Sequence, residues 1–159
     1  FDEIEAAEVG AMQLYLRPIV CIAIGLLADK TKNMFWIIFG FIIMLIGAVI
    51  FSLGFIKSNM NVIFFLSLVV LAVGTYSIRA LYFAVLKEAK VPFNLTGTAV
   101  GLISFVGYSP DIFAGPMIGY MLDENPGIVG HQYVYFMLVV FSLIGLMASI
   151  RFSLKTNRA

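Results

Sequence analysis

The amino-acid sequence predicts an all-α, polytopic transmembrane helix bundle with five spanning helices, and three observations carry that expectation. Composition is the first: 62% of the 159 residues are hydrophobic and 12% charged, with a mean hydropathy of +1.03. No ordinary soluble domain of this size carries such a balance on its surface. The second is segmentation into apolar runs, each with the roughly 20 residues that a helix needs to cross a hydrocarbon core about 30 Å thick. The third is the lack of strict alternation of apolar and polar residues within those runs, which argues against a membrane barrel.

Taken in order, the chain opens on the acidic stretch FDEIEAAE, which begins with Phe1 and shows no basic leader or cleavage site. It reads as an external loop or the tail of a preceding element in a longer chain. The first span runs from Val9 to Ala28 and carries Arg17 next to Pro18, a charge and a bend in one turn. The second, Met34 to Ile56, holds no charged residue. The third, Met60 to Leu86, carries Arg79 with Thr75, Tyr76, Tyr82 and Phe83 nearby. The fourth, Leu95 to Leu122, has Asp111 near its centre beside Pro110, and the fifth runs from Gln132 to Ile150. The Gly and Pro content of these runs suits spanning helices better than soluble ones.

Orientation follows from the basic residues, which are retained on the cytoplasmic side. The first and third connections and the tail carry Lys30, Lys32, Lys87, Lys90, Arg151, Lys155 and Arg158. The opposite side carries Lys57 among Asp2, Glu3, Glu5, Glu8, Asp123 and Glu124. The expected topology therefore has the N-terminus outside and the C-terminus in the cytoplasm of a bacterial plasma membrane. A net charge of +1 gives no reason to expect a nucleic-acid partner. The single Cys21 excludes an internal disulfide and a multi-thiolate metal site, and His131 has no second His or Cys nearby, so no metal or cofactor is expected. Ser109 beside Asp111 does not suggest a hydrolase, because His131 belongs at the outer surface and Asp111 near the midplane. An enzyme is not expected.

Asp111 is the costliest residue in the chain. A carboxylate in hydrocarbon costs several kcal/mol on the mildest scales, so it faces a protein interior or a watery cavity and has a partner. An internal match proposes one. Ile24-Gly25-Leu26-Leu27-Ala28-Asp29 and Ile118-Gly119-Tyr120-Met121-Leu122-Asp123 end the first and fourth spans. These spans run in opposite directions, as an inverted repeat of a transporter requires. The same offset carries Arg17 onto Asp111, each about 18 Å from its own membrane surface at 1.5 Å per residue. Arg17 is thus the expected partner, in a pair that either moves during transport or holds two helices together. Alternatively, Arg17 contacts an anionic solute directly. Arg79 either faces the solute or reaches toward the interface and Glu88. Gly107, Asp111, Gly115 and Gly119 share one face of the fourth span, and such small-residue faces let helices approach closely in lipid.

Gly25-Leu26-Leu27-Ala28-Asp29-Lys30 resembles the G-x-L-A-D-R/K loop of the major facilitator superfamily, and the topology selects the more degenerate copy between the eighth and ninth helices. Gly115-Pro116-Met117-Ile118-Gly119 is similar to the G-P-x-x-G of the family's fifth helix. The match is partial: the family usually has Gly at the position of Lys32 and a basic residue at that of Asn33. The resemblance implies that the five spans are helices eight to twelve of the C-terminal half, that the N-terminal bundle is missing, and that the protein is a secondary transporter working by alternating access. It implies a gating role for Gly25, Asp29 and Lys30, with Asp29 latching the loop onto a neighbouring helix. It also implies a cavity contributed to by Arg17, Arg79, Asp111, Tyr76 and Tyr108, taking a small solute. The pattern of arginine, aromatic and carboxylate is most similar to that of facilitators of organic anions or sugar-like compounds. Coupling to protons through Asp111 or Glu88 is open. The partners expected are the solute, membrane lipid and the missing half. The alternative is a non-transporting membrane scaffold in which the small-residue faces bind a partner helix.

Overall fold

The computed structural model describes residues 3–54 and 61–156. Asp2, Lys57 and Arg158, used above for orientation, lie outside the described residues, as do the expected end of the second span at Ile56 and start of the third at Met60. Among the described residues six α-helices follow one another: α1 Glu3–Asp29, α2 Asn33–Ser52, α3 Asn61–Leu81, the short α4 Val85–Glu88, α5 Thr96–Glu124 and α6 Ile128–Thr156. No strand occurs among the described residues. The protein is an all-α, multi-pass membrane bundle.

Among the described residues, four helices are long and apolar enough to cross a membrane by themselves: Gly10–Asp29 of α1, Asn33–Ser52 (α2), Ile63–Leu81 of α3, and Ile128–Thr156 (α6). The other long helix, α5, has 29 residues, as many as α6, but Asp111, two prolines and its glycines dilute its apolar run. The third expected span is shorter than the sequence suggests. It ends at Leu81, and the chain turns through Tyr82 to Ala84 before α4 closes on a left-handed Lys90 (φ 52°).

The helix α2 is the centre of the bundle. It packs most extensively on α3 and α6, while α1 lies against α3 and α5 against α6. Its buried positions, Met34, Ile37, Gly40, Met44, Gly47, Ala48 and Phe51, recur every three or four residues and form one continuous stripe. Lipid tails are as apolar as leucine, so burial alone drives little association, and close backbone approach has to supply the packing. It does so where α2 crosses α3. A Cβ on Gly74 would lie 2.9 Å from the Gly40 carbonyl oxygen, and one on Gly40 would lie 3.1 Å from that of Gly74. On the other flank, Gly145 of α6 admits the ring of Phe41. Tyr135 of α6, a residue that position alone would assign to an interfacial belt, stacks on Phe51 at 4.5 Å.

Polar side chains inside the bundle return to the backbone. Ser77 and Ser142, both fully buried, donate to the carbonyls of Val73 and Leu138 at 2.6 Å. No buried side-chain polar atom among the described residues lacks a partner, as a low-dielectric surrounding demands.

The connections gather at two ends. Asp29, Thr31, Asn33, Lys87, Glu88, Lys90 and Thr156 surround one recess. Gly54, Gly127, His131 and Gln132 surround another with Phe51 and Tyr135. Helices that cross in alternate directions put the first and third connections and the tail together in this way. At the first end Trp36 donates to the Thr31 hydroxyl (2.7 Å), which in turn donates to the Leu27 carbonyl (2.9 Å). This relay ties the turn after α1 to the start of α2.

Candidate functional site

The contact order α1, α3, α2, α6, α5 makes an arc, and its two ends approach each other across a cavity of about 690 Å³. Arg17 from α1, Arg79 from the last turn of α3, Tyr82 and Phe83 from the turn that follows, and Leu102, Ile103, Val106, Gly107 and Tyr108 of α5 line it. The helix α5 has no buried residue, so most of its surface faces away from this chain's own core.

Two contacts reach α5 from the α3 side of the cavity. The Arg79 guanidinium (Nη2) lies 3.4 Å from the Asp111 carboxylate (Oδ1). The Tyr82 hydroxyl donates to that of Tyr108 at 3.2 Å. Asp111 therefore pairs with Arg79, not with Arg17 as the internal repeat suggests. The reason is geometric. Arg17 sits on α1, which packs on α3 rather than α5, whereas the break after Leu81 leaves Arg79 in the last turn of α3, facing α5. The same contact answers the question of Arg79: its side chain reaches Asp111, and Glu88 stands instead in the basic end recess. Asp111 lies about 22 Å past Thr96 and about 20 Å before Glu124 along the α5 axis, at 1.5 Å per residue. It is central in its helix.

Local sequence explains how α5 tolerates a charge flanked by proline. Pro110 carries no N–H, so the Val106 carbonyl, four residues earlier, loses its helical donor. The Ser109 hydroxyl takes that place at 2.8 Å, a known means of re-satisfying backbone at a membrane proline. The serine is a structural companion of the proline.

The structure thus brings Arg17, Arg79 and Tyr108 to one cavity and Asp111 to its edge. Tyr76 goes elsewhere: its hydroxyl donates to the Gln13 carbonyl at 3.0 Å and fastens α3 to α1. Tyr82 and Phe83 complete the cavity, and the tilted contact between their rings, 4.0 Å between centroids, was foreshadowed only by their place beside Arg79. Of the residues to which the resemblance gives a gating role, Asp29 is the last residue of α1 and lies in the recess with Lys87 and Lys90, and Gly25 has open space where a Cβ would stand. On the packing face of α5, Gly107 comes within 3.8 Å of the Tyr82 ring, measured from an added Cβ, whereas Gly115 and Gly119 meet nothing within 4 Å. The close helix approaches within this chain are made by Gly40, Gly47, Gly74 and Gly145 instead.

Part of the chain is similar to two bacterial inner membrane proteins. It is 43% identical over 72 residues, 45% of its length, to the inner membrane protein YihN of Escherichia coli K12. It is 37% identical over 62 residues, 39% of its length, to the inner membrane protein YqcE of the same organism. The matched stretches span 17% and 15% of those proteins. No family model matches, and no solved structure matches. With the four apolar helices, these relatives support a multi-pass inner-membrane location.

Proposed function

We propose that this chain is the C-terminal part of a facilitator-type secondary transporter, in which the cavity between α1, α3 and α5 holds a small solute and this bundle rocks against a second one. One observation carries the reading: an exposed ion pair, Arg79–Asp111, bridges two otherwise apolar helices at the rim of a cavity that also contains Arg17. Ionisable residues within spans are costly, and where they persist beside a cavity the default explanation is a solute or ion pathway. The G-x-L-A-D-K loop at the end of α1, the open outer face of α5 and the far greater length of the matched relatives support the same architecture. The basic end of the bundle, with Lys87 and Lys90, faces the cytoplasm in this reading. The side chains position and release a solute; no bond is made or broken, and no cofactor takes part.

Solute uptake by the full-length protein in proteoliposomes tests it, with Asp111→Asn alongside. Concentrative uptake that the substitution abolishes is expected. Uptake indifferent to the substitution removes the coupling role from Asp111. Failure to move any of a broad solute panel favours the rival scaffold, to which the unoccupied face at Gly115 and Gly119 lends some support.

A further inference from the structure

We propose that the cavity takes a small organic monoanion, bound by Arg17 together with the Arg79 guanidinium that Asp111 yields to it; this rests on the reading of the cavity as the solute site. Charge is the first argument. Two guanidinium groups line the cavity and one carboxylate, Asp111, engages Arg79 alone, which leaves one formal positive charge in excess. Among the described residues Arg17 has no ion-pair partner. An uncompensated arginine on an apolar helix favours a counter-ion. A cation would meet net repulsion, and one negative charge balances the set.

Geometry is the second argument. The Arg79–Asp111 contact is single and long, 3.4 Å, against the 2.7–2.9 Å of a tight charge-assisted bond. Its two side chains remain 41% and 60% exposed. A guanidinium has five N–H donors in a planar fork, so most of Arg79's are unspent. An incoming carboxylate or sulfonate competes with Asp111 for that fork, and Arg17 supplies the second charge that tips the exchange. The hydroxyls of Tyr82 and Tyr108 offer neutral polar contacts, and Phe83, Ile103 and Val106 an apolar wall. At about 690 Å³ the space fits a small-molecule site.

The test is binding to purified full-length protein in nanodiscs by calorimetry, using twins that differ in charge: D-glucuronate against D-glucose, and benzenesulfonate against benzenesulfonamide. The two pairs separate carboxylate from sulfonate recognition. The anion of at least one pair should bind tenfold or more tightly than its neutral twin. Arg17→Gln should remove that preference, with Arg17→Lys keeping part of it. Asp111→Asn should tighten anion binding several-fold, because it removes the internal competitor, although it abolishes concentrative uptake. A merely structural pair would give the opposite sign. Equal binding of both twins, including none of either, overturns the proposal, as does an Asp111→Asn variant that melts like the parent protein yet binds anions more weakly. Uptake of neutral solutes unaltered by Arg17→Gln would overturn it while keeping the transport reading. Anion binding with no transport would keep it and remove that reading.

Discussion

Gly74→Ala should loosen the α2–α3 crossing on which the bundle is built. The added methyl would stand 2.9 Å from the Gly40 carbonyl oxygen, 3.1 Å from the Met44 nitrogen and 3.2 Å from the Met44 Cβ. Two of these neighbours are backbone, so no rotamer change relieves them, and α2 has to move away by about half an ångström to restore ordinary contact. Overpacking of this kind costs about 1–3 kcal/mol. Alanine returns about 0.5–1 kcal/mol through its better helix propensity. The net loss is therefore about 1–2 kcal/mol. Gly47→Ala should cost less, because the atoms it meets, at 2.8 and 2.9 Å, belong to the Leu71 side chain, which can turn. Gly97→Ala, with nothing within 4 Å, should cost nothing. Thermal unfolding in detergent, followed by size-exclusion chromatography, ranks the three. A Gly74→Ala protein as stable as the parent, or a Gly97→Ala protein that is the least stable, would refute the reasoning.

Other consequences are independent of that crossing. Ser109→Ala should strip the Val106 carbonyl of its donor and lower stability by about 1 kcal/mol, whereas Ser109→Thr, which keeps the hydroxyl, should not; the same unfolding assay decides. Tyr76→Phe, which removes the bond to Gln13, should cost about 0.5–1.5 kcal/mol and leave uptake intact, in contrast to changes at Tyr108. On a Cys21→Ser background, single cysteines at Lys30 and Lys87 should react with an impermeant thiol reagent from one side of the membrane, and cysteines at Gly127 and His131 from the other. Labelling of all four from one side would contradict the alternating passage of the helices.

The bundle was legible in the sequence because its apolar runs are long, separated by charged or polar connections, and nearly free of internal charge. Helix ends were less so: the third run stays apolar through Leu86, and only the backbone reveals the turn after Leu81 that aims Arg79 at α5. The choice of Arg17, Arg79 and Asp111 as candidate residues follows from the cost of charge in an apolar span, a rule needing no structure. The pairing did not follow. Equal depth made Arg17 a reasonable partner for Asp111, but depth says nothing about which helices are neighbours around the arc. The close glycine approaches within this chain were not legible for a related reason: four-residue spacing on α5 is conspicuous, whereas Gly40 and Gly74 are far apart in sequence and act only because they meet.

The central claim is that Arg79 and Asp111 form a working pair in a transport cavity, and exchanging their charges tests it most directly. Uptake should be measured for Arg79→Asp, Asp111→Arg and the double variant in the full-length protein, each checked for assembly by its elution profile. Each single change puts two like charges in place of the attractive pair and should abolish uptake. The double exchange restores attraction and should recover assembly and a measurable part of the uptake. Full uptake in both single variants, or a double variant worse than either, would contradict the account.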